Sequence, residues 1–410
     1  MTPPRYLPKV ELLAPAGSLE KLEIVLHYGA DAVYLAGQAF SLRNFASNFS
    51  LKEMAQAIAL AHSKNAKVYV AVNIFARNEE LPAIESYLRN LAALTPDAII
   101  VADPAVLSMV KSAAPGLFIH LSTQANTTNG AAARFWQSQG VRRINAAREL
   151  SLQEIAAIAH SCDLEVEAFV HGAMCISYSG RCLLSNFMAQ RPSNQGMCCQ
   201  PCRFQYTVME ETRPGQYFPV REDERGTYIF NSRDLCMLEH LPAMIQSGIR
   251  SLKIEGRMKS IHYAATAVKI YREAIDRYYE SPEQYRLQPY WQEELDKITN
   301  RGYCTGFYLG DPSQVVPQYN APCPSSHTML AKVLADAGHK RAHIEVRNQI
   351  RQGEPIEIVQ PNGPPIEDAI RQITTLEGDE VALAQPGSRV ILQLNTQCQP
   401  LDLIRRRSAG

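Results

Sequence analysis

The sequence lacks a net charge and lacks any apolar run long enough to span a membrane. Its 41 Lys and Arg balance 41 Asp and Glu, so composition gives no electrostatic footprint for nucleic acid, and such a partner would need local basic patches. A membrane span takes about 20 consecutive apolar residues. The opening, MTPPRYLPKVELLAPAG, lacks the basic flank and apolar core of a secretory signal. We therefore expect a cytoplasmic protein with no membrane partner and with reduced thiols.

Several catalytic and binding motifs are also missing. The sequence contains no GxSxG and no HExxH, which argues against the common serine hydrolases and zinc peptidases. No GxGxxG follows the first apolar run, so a dinucleotide-binding open sheet is disfavoured. No second CxxC accompanies Cys199 and Cys202, so a self-folding zinc ribbon is not indicated.

Short apolar, β-branched runs alternate with segments of helical periodicity along the first two thirds of the chain. Serines precede several of these segments, as Ser18, Ser50 and Ser151 do, and Ser151 forms a capping-box pattern with Glu154. Eight strand–helix units match a (β/α)8 TIM-like barrel, and a doubly wound open sheet is the alternative. The eight predicted strands are 10–17, 32–37, 67–73, 98–104, 118–126, 141–147, 164–172 and 250–256.

The predicted seventh strand is followed by a long, cysteine-rich insertion (172–236) before the eighth. Because the carboxyl ends of barrel strands form the active face, this insertion should lie over the barrel mouth. A Pro- and Ser-rich stretch (315–327) then precedes short alternating strands. We predict a barrel domain over residues 1–314 and a small, barrel-like all-β domain over 327–410.

The cysteines of the insertion are the strongest chemical signal. Five of the ten cysteines fall between residues 171 and 204, and Cys236 follows them. Reduced thiolates close together hold zinc or an iron–sulfur cluster. Their wide, irregular spacing favours a cluster built from several loops, and a structural zinc site stays open as the alternative.

Long motifs then reveal a resemblance. EAFVHGAMCISYSGRCLLS (167–185), NQGMCCQPCR, NSRDLC and LKIEGRMKS resemble the collagenase-like peptidase family U32, over about residues 10–312. The resemblance implies an oxygen-independent hydroxylation protein with a [4Fe–4S] cluster. It implies most closely the branch that forms 5-hydroxyuridine at the tRNA wobble position, with prephenate as the hydroxyl donor. Ubiquinone-ring or ribosomal RNA cytidine hydroxylation, and peptidase activity, are the alternatives.

The resemblance also implies a ligand set. The cluster cysteines correspond to Cys175, Cys182, Cys198 and Cys236, and Cys199 is the rival of its neighbour Cys198. In the peptidase alternative, Cys175 would be a nucleophile with His171 as its base. A thiolate that binds a cluster cannot serve in that way.

Three arginines at or near predicted strand ends are candidate anion binders. Arg148, Arg233 and Arg257 could bind a small dicarboxylate donor, because a guanidinium pairs bidentately with a carboxylate. Surface salt bridges are the alternative for each.

Three further residues are candidate acid–base groups. Glu167 and His171 are four apart on one strand, a spacing that predicts one face, and they could serve in acid–base work or form a buried structural pair. Glu255 could orient Lys253 or Arg257, or accept a proton.

The C-terminal module has two interpretations, an RNA-binding appendage or a structural cap on the barrel. Its basic residues include the run Arg405 to Arg407, which is either a basic patch for RNA or a solvated tail.

Overall fold

The computed structural model describes residues 8–41, 48–175, 178–191, 193, 197–199, 201, 222–223, 226–227, 233–310 and 325–408. The strands of its first part are β1 (Glu11–Pro15), β2 (Ala32–Ala36), β3 (Lys67–Val72), β4 (Ala98–Val101), β5 (Phe118–Leu121), β6 (Val141–Asn145), β7 (Glu165–Ala173), β8 (Glu222–Asp223), β9 (Gly226–Thr227), β10 (Asp234–Cys236), β11 (Ile249–Ile254) and β12 (Tyr303–Cys304). The helices are α1 (Leu19–His27), α2 (Leu51–Ser63), α3 (Leu81–Leu94), α4 (Pro104–Ala113), α5 (Gly130–Ser138), α6 (Leu152–Ser161), α7 (Leu184–Ala189), α8 (Leu241–Gln246), α9 (Ile261–Glu280) and α10 (Pro289–Asp296).

Eight parallel strands close into a barrel. β1 to β7 pair in chain order, and β11 closes the ring by pairing with both β1 and β7. Each of the eight predicted strands overlaps one of these barrel strands, so the predicted TIM-like barrel is confirmed. Ser18, Ser50 and Ser151 cap their helices as predicted, the last two in complete capping boxes.

The barrel interior combines an apolar cluster with buried charges. Leu13, Tyr34, Tyr69 and Ile100 belong to an apolar cluster of barrel strands. Arg143 is buried beside this cluster, with its guanidinium 5.2 Å from the Tyr69 ring centroid. A barrel interior is normally filled by branched apolar side chains, so charges buried there need partners.

The second part of the described chain is an open antiparallel sheet that forms a half-barrel. Its principal sheet has the order β17–β16–β22–β13–β14–β21–β18–β19. Its strands are β13 (His327–Asp336), β14 (Arg341–Val346), β15 (Ile350–Arg351), β16 (Pro355–Val359), β17 (Ile366–Ala369), β18 (Gln372–Thr375), β19 (Glu380–Val381), β20 (Leu383–Ala384), β21 (Arg389–Gln393) and β22 (Leu403–Arg407). The domain boundaries at 314 and 327 stay predictions, because residues 311–324 lie outside the described residues.

The run Arg405 to Arg407 is neither a solvated tail nor a continuous basic patch, because it forms β22. Arg405 is fully buried against the barrel, where it donates to Glu294 at 2.8 Å and also pairs with Glu357. The Arg406 guanidinium binds Glu354, so Arg407 alone of the three is exposed. Because β22 is part of the sheet and Arg405 and Arg406 pair with carboxylates, these two charges are not available to bind RNA.

Candidate functional site

A cavity opens at the carboxyl ends of the barrel strands. Its inner volume is about 60 Å³, and it is open to solvent on one side. Apolar Ala71, Ile100 and Phe169 form part of its wall. Its polar lining comprises Tyr34, Asn73, Ser122, Thr123, Gln124, Asn145, Arg148, Lys253, Glu255 and Arg257. In a TIM-like barrel this end is where active sites lie.

Two of the three predicted anion binders, Arg148 and Arg257, reach this cavity together with Lys253. The Arg148 guanidinium lies 4.0 Å above the Phe169 ring and donates to the Ala173 carbonyl at 3.1 Å. Stacking and one hydrogen bond fix its plane, which prepares a guanidinium to bind an anion. Arg257 is 5 % exposed, so its charge is largely shielded from bulk water.

Lys253 is held from two sides. Its ammonium lies 4.4 Å from the Tyr34 ring centroid and 5.6 Å from that of Phe169. It donates to Glu167 at 2.8 Å, and both residues are nearly inaccessible. A buried ammonium needs a partner carboxylate to remain charged, so Glu167 keeps a cation at the cavity wall.

Beneath the cavity, Glu167 continues into a charged network. It accepts from Asn145 at 2.8 Å and lies 3.5 Å from Arg143. Arg143 also binds Glu165 at 2.6 Å and Glu11 at 2.5 Å. Burial opposes ionisation of Glu11, yet the Arg143 guanidinium lowers the pKa of that carboxyl below its ordinary value. Glu11 and Arg143 therefore form an ionised pair, and the network fixes the cavity floor.

The opposite wall carries uncharged hydrogen-bonding groups. The Asn73 amide donates to Ser122 and to Gln124, both at 3.3 Å. On the cation side, Tyr34 donates its hydroxyl proton to Glu255 at 3.2 Å. Glu255 lies at the cavity as predicted, but the carboxylate that binds Lys253 is Glu167. The cavity thus offers amides, a carboxylate and cations to one ligand.

The start of the insertion packs onto the cavity edge. Ser179 donates through its hydroxyl to Glu149 at 3.1 Å and accepts from Thr123 at 3.3 Å. Gly180 has a φ of +71°, and a Cβ there would lie 2.2 Å from the Gln124 carbonyl oxygen. Only glycine fits so close an approach at a positive φ. The insertion is therefore fixed over the mouth by specific contacts.

The expected pairing of Glu167 with His171 is wrong. Lys253 of β11 pairs with Phe169 of β7, but the next residue, Ile254, pairs with His171. The pairing therefore skips one residue of β7. Such a bulge turns the following side chain to the other face. His171 is therefore absent from the cavity lining.

His171 instead lies among three tyrosine rings, those of Tyr263, Tyr271 and Tyr303, at centroid distances of 5.4 to 5.7 Å. Burial lowers its pKa to about 4. A neutral imidazole enclosed by tyrosines is a structural core residue, and its placement does not support a nucleophile–base pair with Cys175.

Arg233 is not among the cavity-lining residues. It directly precedes β10, a strand that pairs with the end of β7 outside the eight-stranded ring. Within the described residues its Nε is buried and has no hydrogen-bond partner. The arginine therefore belongs to the outer layer of the barrel wall.

The predicted cluster cysteines do not converge in the described structure. Within its residues, no three His, Cys, Asp or Glu side chains are close enough to hold one metal ion. Cys175 is exposed and its thiol lies 3.6 Å from an Arg148 nitrogen, beside the cavity. Cys236 lies 3.7 Å from the Tyr271 hydroxyl, and burial raises the pKa of its thiol to about 11.

Cys182, Cys198 and Cys199 are half-buried on the insertion, and Cys202 lies outside the described residues. The Cys199 thiol lies 3.4 Å from the Ser185 hydroxyl, which also accepts from the Cys199 backbone N–H at 3.2 Å. The described geometry does not form a cluster site, and the four-cysteine ligand set stays a prediction.

Lys253 and Arg143 were not singled out as site residues from the sequence. Both are charged residues inside otherwise apolar strands, in RSLKIEG and VRRIN. Charges are costly in buried strands unless they are paired. Charged residues at inward positions of several strands were therefore the signal that could have indicated this network.

Known proteins place this architecture in a family. A model described as peptidase family U32 matches residues 17–317, and one described as that family's C-terminal domain matches residues 325–405. The tRNA hydroxylation protein P1 of Bacillus subtilis is 40 % identical over 97 % of this chain and 95 % of its own length.

Two Escherichia coli proteins are also similar. The tRNA hydroxylation protein P is 34 % identical over 92 % of each chain. A 5-hydroxycytidine synthase of 23S rRNA is 34 % identical over 65 % of this chain and 39 % of its own length. With both family models matched in order and relatives aligned from end to end, the chain belongs to peptidase family U32.

Proposed function

We propose that this chain is an RNA-modifying enzyme that forms 5-hydroxyuridine at the wobble position of tRNA, with prephenate as the hydroxyl donor. The names of its full-length relatives support tRNA as the substrate. Two tRNA hydroxylation proteins align over more than nine tenths of both chains, whereas the ribosomal RNA enzyme aligns over 39 % of its own length. Agreement over the whole chain favours the shared substrate class.

One observation carries the proposal: the cavity gathers three cations, Arg148, Lys253 and Arg257, around amide and hydroxyl groups. A small dicarboxylate matches this lining, because guanidinium and ammonium groups bind carboxylates with charge-assisted hydrogen bonds. Exclusion of water strengthens each of these contacts. Prephenate carries two carboxylates and is therefore the appropriate chemical class of ligand.

The chain's own residues would orient both reactants. Arg148, fixed on Phe169, and Lys253, held by Glu167, would bind the donor. The Asn73 and Gln124 amides present donors and acceptors suited to a pyrimidine edge. Glu255 would serve as a proton acceptor beside the bound pyrimidine.

A [4Fe–4S] cluster belongs to the same proposal, with Cys175, Cys182, Cys198 and Cys236 as its ligands. When bound, it would supply one-electron redox chemistry. Cys199, whose thiol lies 3.4 Å from the Ser185 hydroxyl, is the rival of Cys198 for the third position.

Anaerobic purification tests this assignment. We expect a brown protein with about four iron atoms per chain, since each cubane cluster holds four, and a loss of iron in Cys198→Ser but not in Cys199→Ser. A colourless protein with one zinc per chain would contradict it.

Mass spectrometry of tRNA nucleosides tests the substrate. A strain that lacks this gene should lose the 5-hydroxyuridine derivatives, and a plasmid copy of the wild type should restore them. Arg257→Met should fail to restore them, while exposed Arg407→Met serves as a matched loss of one arginine outside the cavity. Intact derivatives in the deletion strain would refute the tRNA assignment.

A further inference from the structure

We propose that Tyr178 and Arg181 form a stacking platform for a nucleobase of single-stranded RNA at the edge of the cavity. The inference rests on the proposed function and names the surface that would hold the RNA. Both residues belong to one turn, in which the Arg181 backbone N–H donates to the Tyr178 carbonyl at 3.0 Å. We call residues 178–183 the rim segment.

The rim segment presents an exposed ring on a fixed backbone. Tyr178 is 67 % exposed, while Ser179 beside it is 7 % exposed and bound to Glu149 and Thr123. Gly180 lies directly against the Gln124 backbone, and Thr123 and Gln124 line the cavity. The Tyr178 ring is therefore adjacent in sequence to residues that are anchored to the cavity wall.

Nothing in the described part of the chain stacks on the Tyr178 ring, since the aromatic and cation–π pairs of those residues do not include it. Exposed apolar side chains are frequent on the insertion. Of the eleven large ones in the described residues, four lie on it: Tyr178, Leu183, Met188 and Met197. Exposed apolar groups gathered on one segment can form a binding surface.

A contrasting pair at the other end of the barrel shows an aromatic surface that already has its partner. Phe118 begins β5, at the amino end of the strand, and is 55 % exposed. The Arg142 guanidinium covers its ring at 5.3 Å. This pair has the same side-chain classes as Tyr178 and Arg181 but faces away from the cavity, so it provides a matched control.

Single-stranded RNA is the occupant that fits both the ring and the charge. An enzyme that modifies a base needs that base out of a duplex stack, and aromatic side chains hold unstacked bases by stacking on them. The exposed Arg181 guanidinium can pair with the RNA backbone. The cations of the cavity extend this positive surface inward.

Two RNA probes and four variants test the inference. The probes are an anticodon stem–loop with uridine at the wobble position and a fully paired duplex of similar composition. We expect Tyr178→Ala to weaken binding of the stem–loop fivefold or more and to leave duplex binding unchanged. Tyr178→Phe and Phe118→Ala should bind both like the wild type. Arg181→Ala should reduce the salt slope of stem–loop affinity by about one.

Undiminished stem–loop affinity in Tyr178→Ala overturns the inference and leaves the exposed ring for a protein partner. Equal weakening on both probes also overturns it, because stacking requires an unpaired base. If the deletion strain loses 5-hydroxyuridine while Tyr178→Ala binds normally, the platform fails and the proposed function stands. If the wild type binds neither probe, the platform fails, and the nucleosides of the deletion strain decide the proposed function separately.

Discussion

Lys253 offers the sharpest test of how the cavity is built. Lys253→Met keeps a long side chain between the Tyr34 and Phe169 rings but removes the ammonium that pairs with Glu167 at 2.8 Å. Breaking a buried ion pair from one side costs about 3–5 kcal/mol. Glu167 would keep Asn145 at 2.8 Å and Arg143 at 3.5 Å, so the lower figure applies.

That cost converts into a measurable shift in Tm. The entropy of unfolding is about 2.1 cal/mol/K per residue, or roughly 0.6 kcal/mol/K for a barrel of about 300 residues. A loss of about 3 kcal/mol therefore lowers Tm by roughly 5 °C. Glu167→Gln should cause a similar loss, because it leaves the Lys253 ammonium buried without a carboxylate.

A thermal-melt double-mutant cycle isolates the pair. The double variant Lys253→Met with Glu167→Gln leaves neither charge of the pair. Its loss in the free energy of unfolding should therefore be smaller than the sum of the two single losses by at least about 1 kcal/mol. The pair of Arg272 and Asp31, at 2.9 Å with a half-exposed carboxylate, provides a cycle in which coupling should stay below about 1 kcal/mol. Additivity within about 0.5 kcal/mol at Lys253 and Glu167 would refute the buried pair.

Three further predictions concern the cavity, the insertion and the interface between the two parts of the chain. Arg148→Met should weaken prephenate binding about tenfold or more, because a charge-assisted hydrogen bond is lost. Isothermal titration calorimetry measures this affinity, and an unchanged value would remove Arg148 from the donor site. Gly180→Ala should expose the insertion to limited proteolysis, because its Cβ would overlap the Gln124 carbonyl; a wild-type cleavage rate would contradict this packing. Burial lowers the pKa of His262, beside Arg405, to about 3, so unfolded chains take up a proton near pH 6.5 that the folded chain refuses. His262 should therefore contribute a loss of stability of up to about 1.4 kcal/mol per pH unit below 6.5. His262→Gln should reduce the slope of Tm against pH by that share, while buried His171 keeps its own contribution.

The barrel could be predicted from the sequence because its signals are local. Each strand is a short apolar run that ends at a turn residue, and several of the following helices begin at a serine cap, as at Ser50 and Ser151. Such features depend on residues a few positions apart. Their number and order then limit the possible topologies to very few.

The cavity could be predicted only in part. Arg148, Arg257 and Glu255 were found because strand ends point to the active face. The placement of His171 was wrong, because a bulge in the pairing of β7 with β11 has no signal in an alternating pattern. The burial of Arg405 depends on Glu294, a residue 111 positions away, so spacing along the chain could not show it.

The sequence by itself determined the eight-stranded barrel, the helix caps, the insertion above the mouth and the motifs of the family. The tertiary structure alone decided the partner of each charged side chain. Lys253 pairs with Glu167, Arg143 pairs with Glu11, and Arg148 lies over the Phe169 ring. Secondary structure follows from neighbours in the chain, whereas the energy of a buried charge depends on partners that only ring closure brings within a few ångströms. The chemistry of this cavity is therefore a property of the closed barrel.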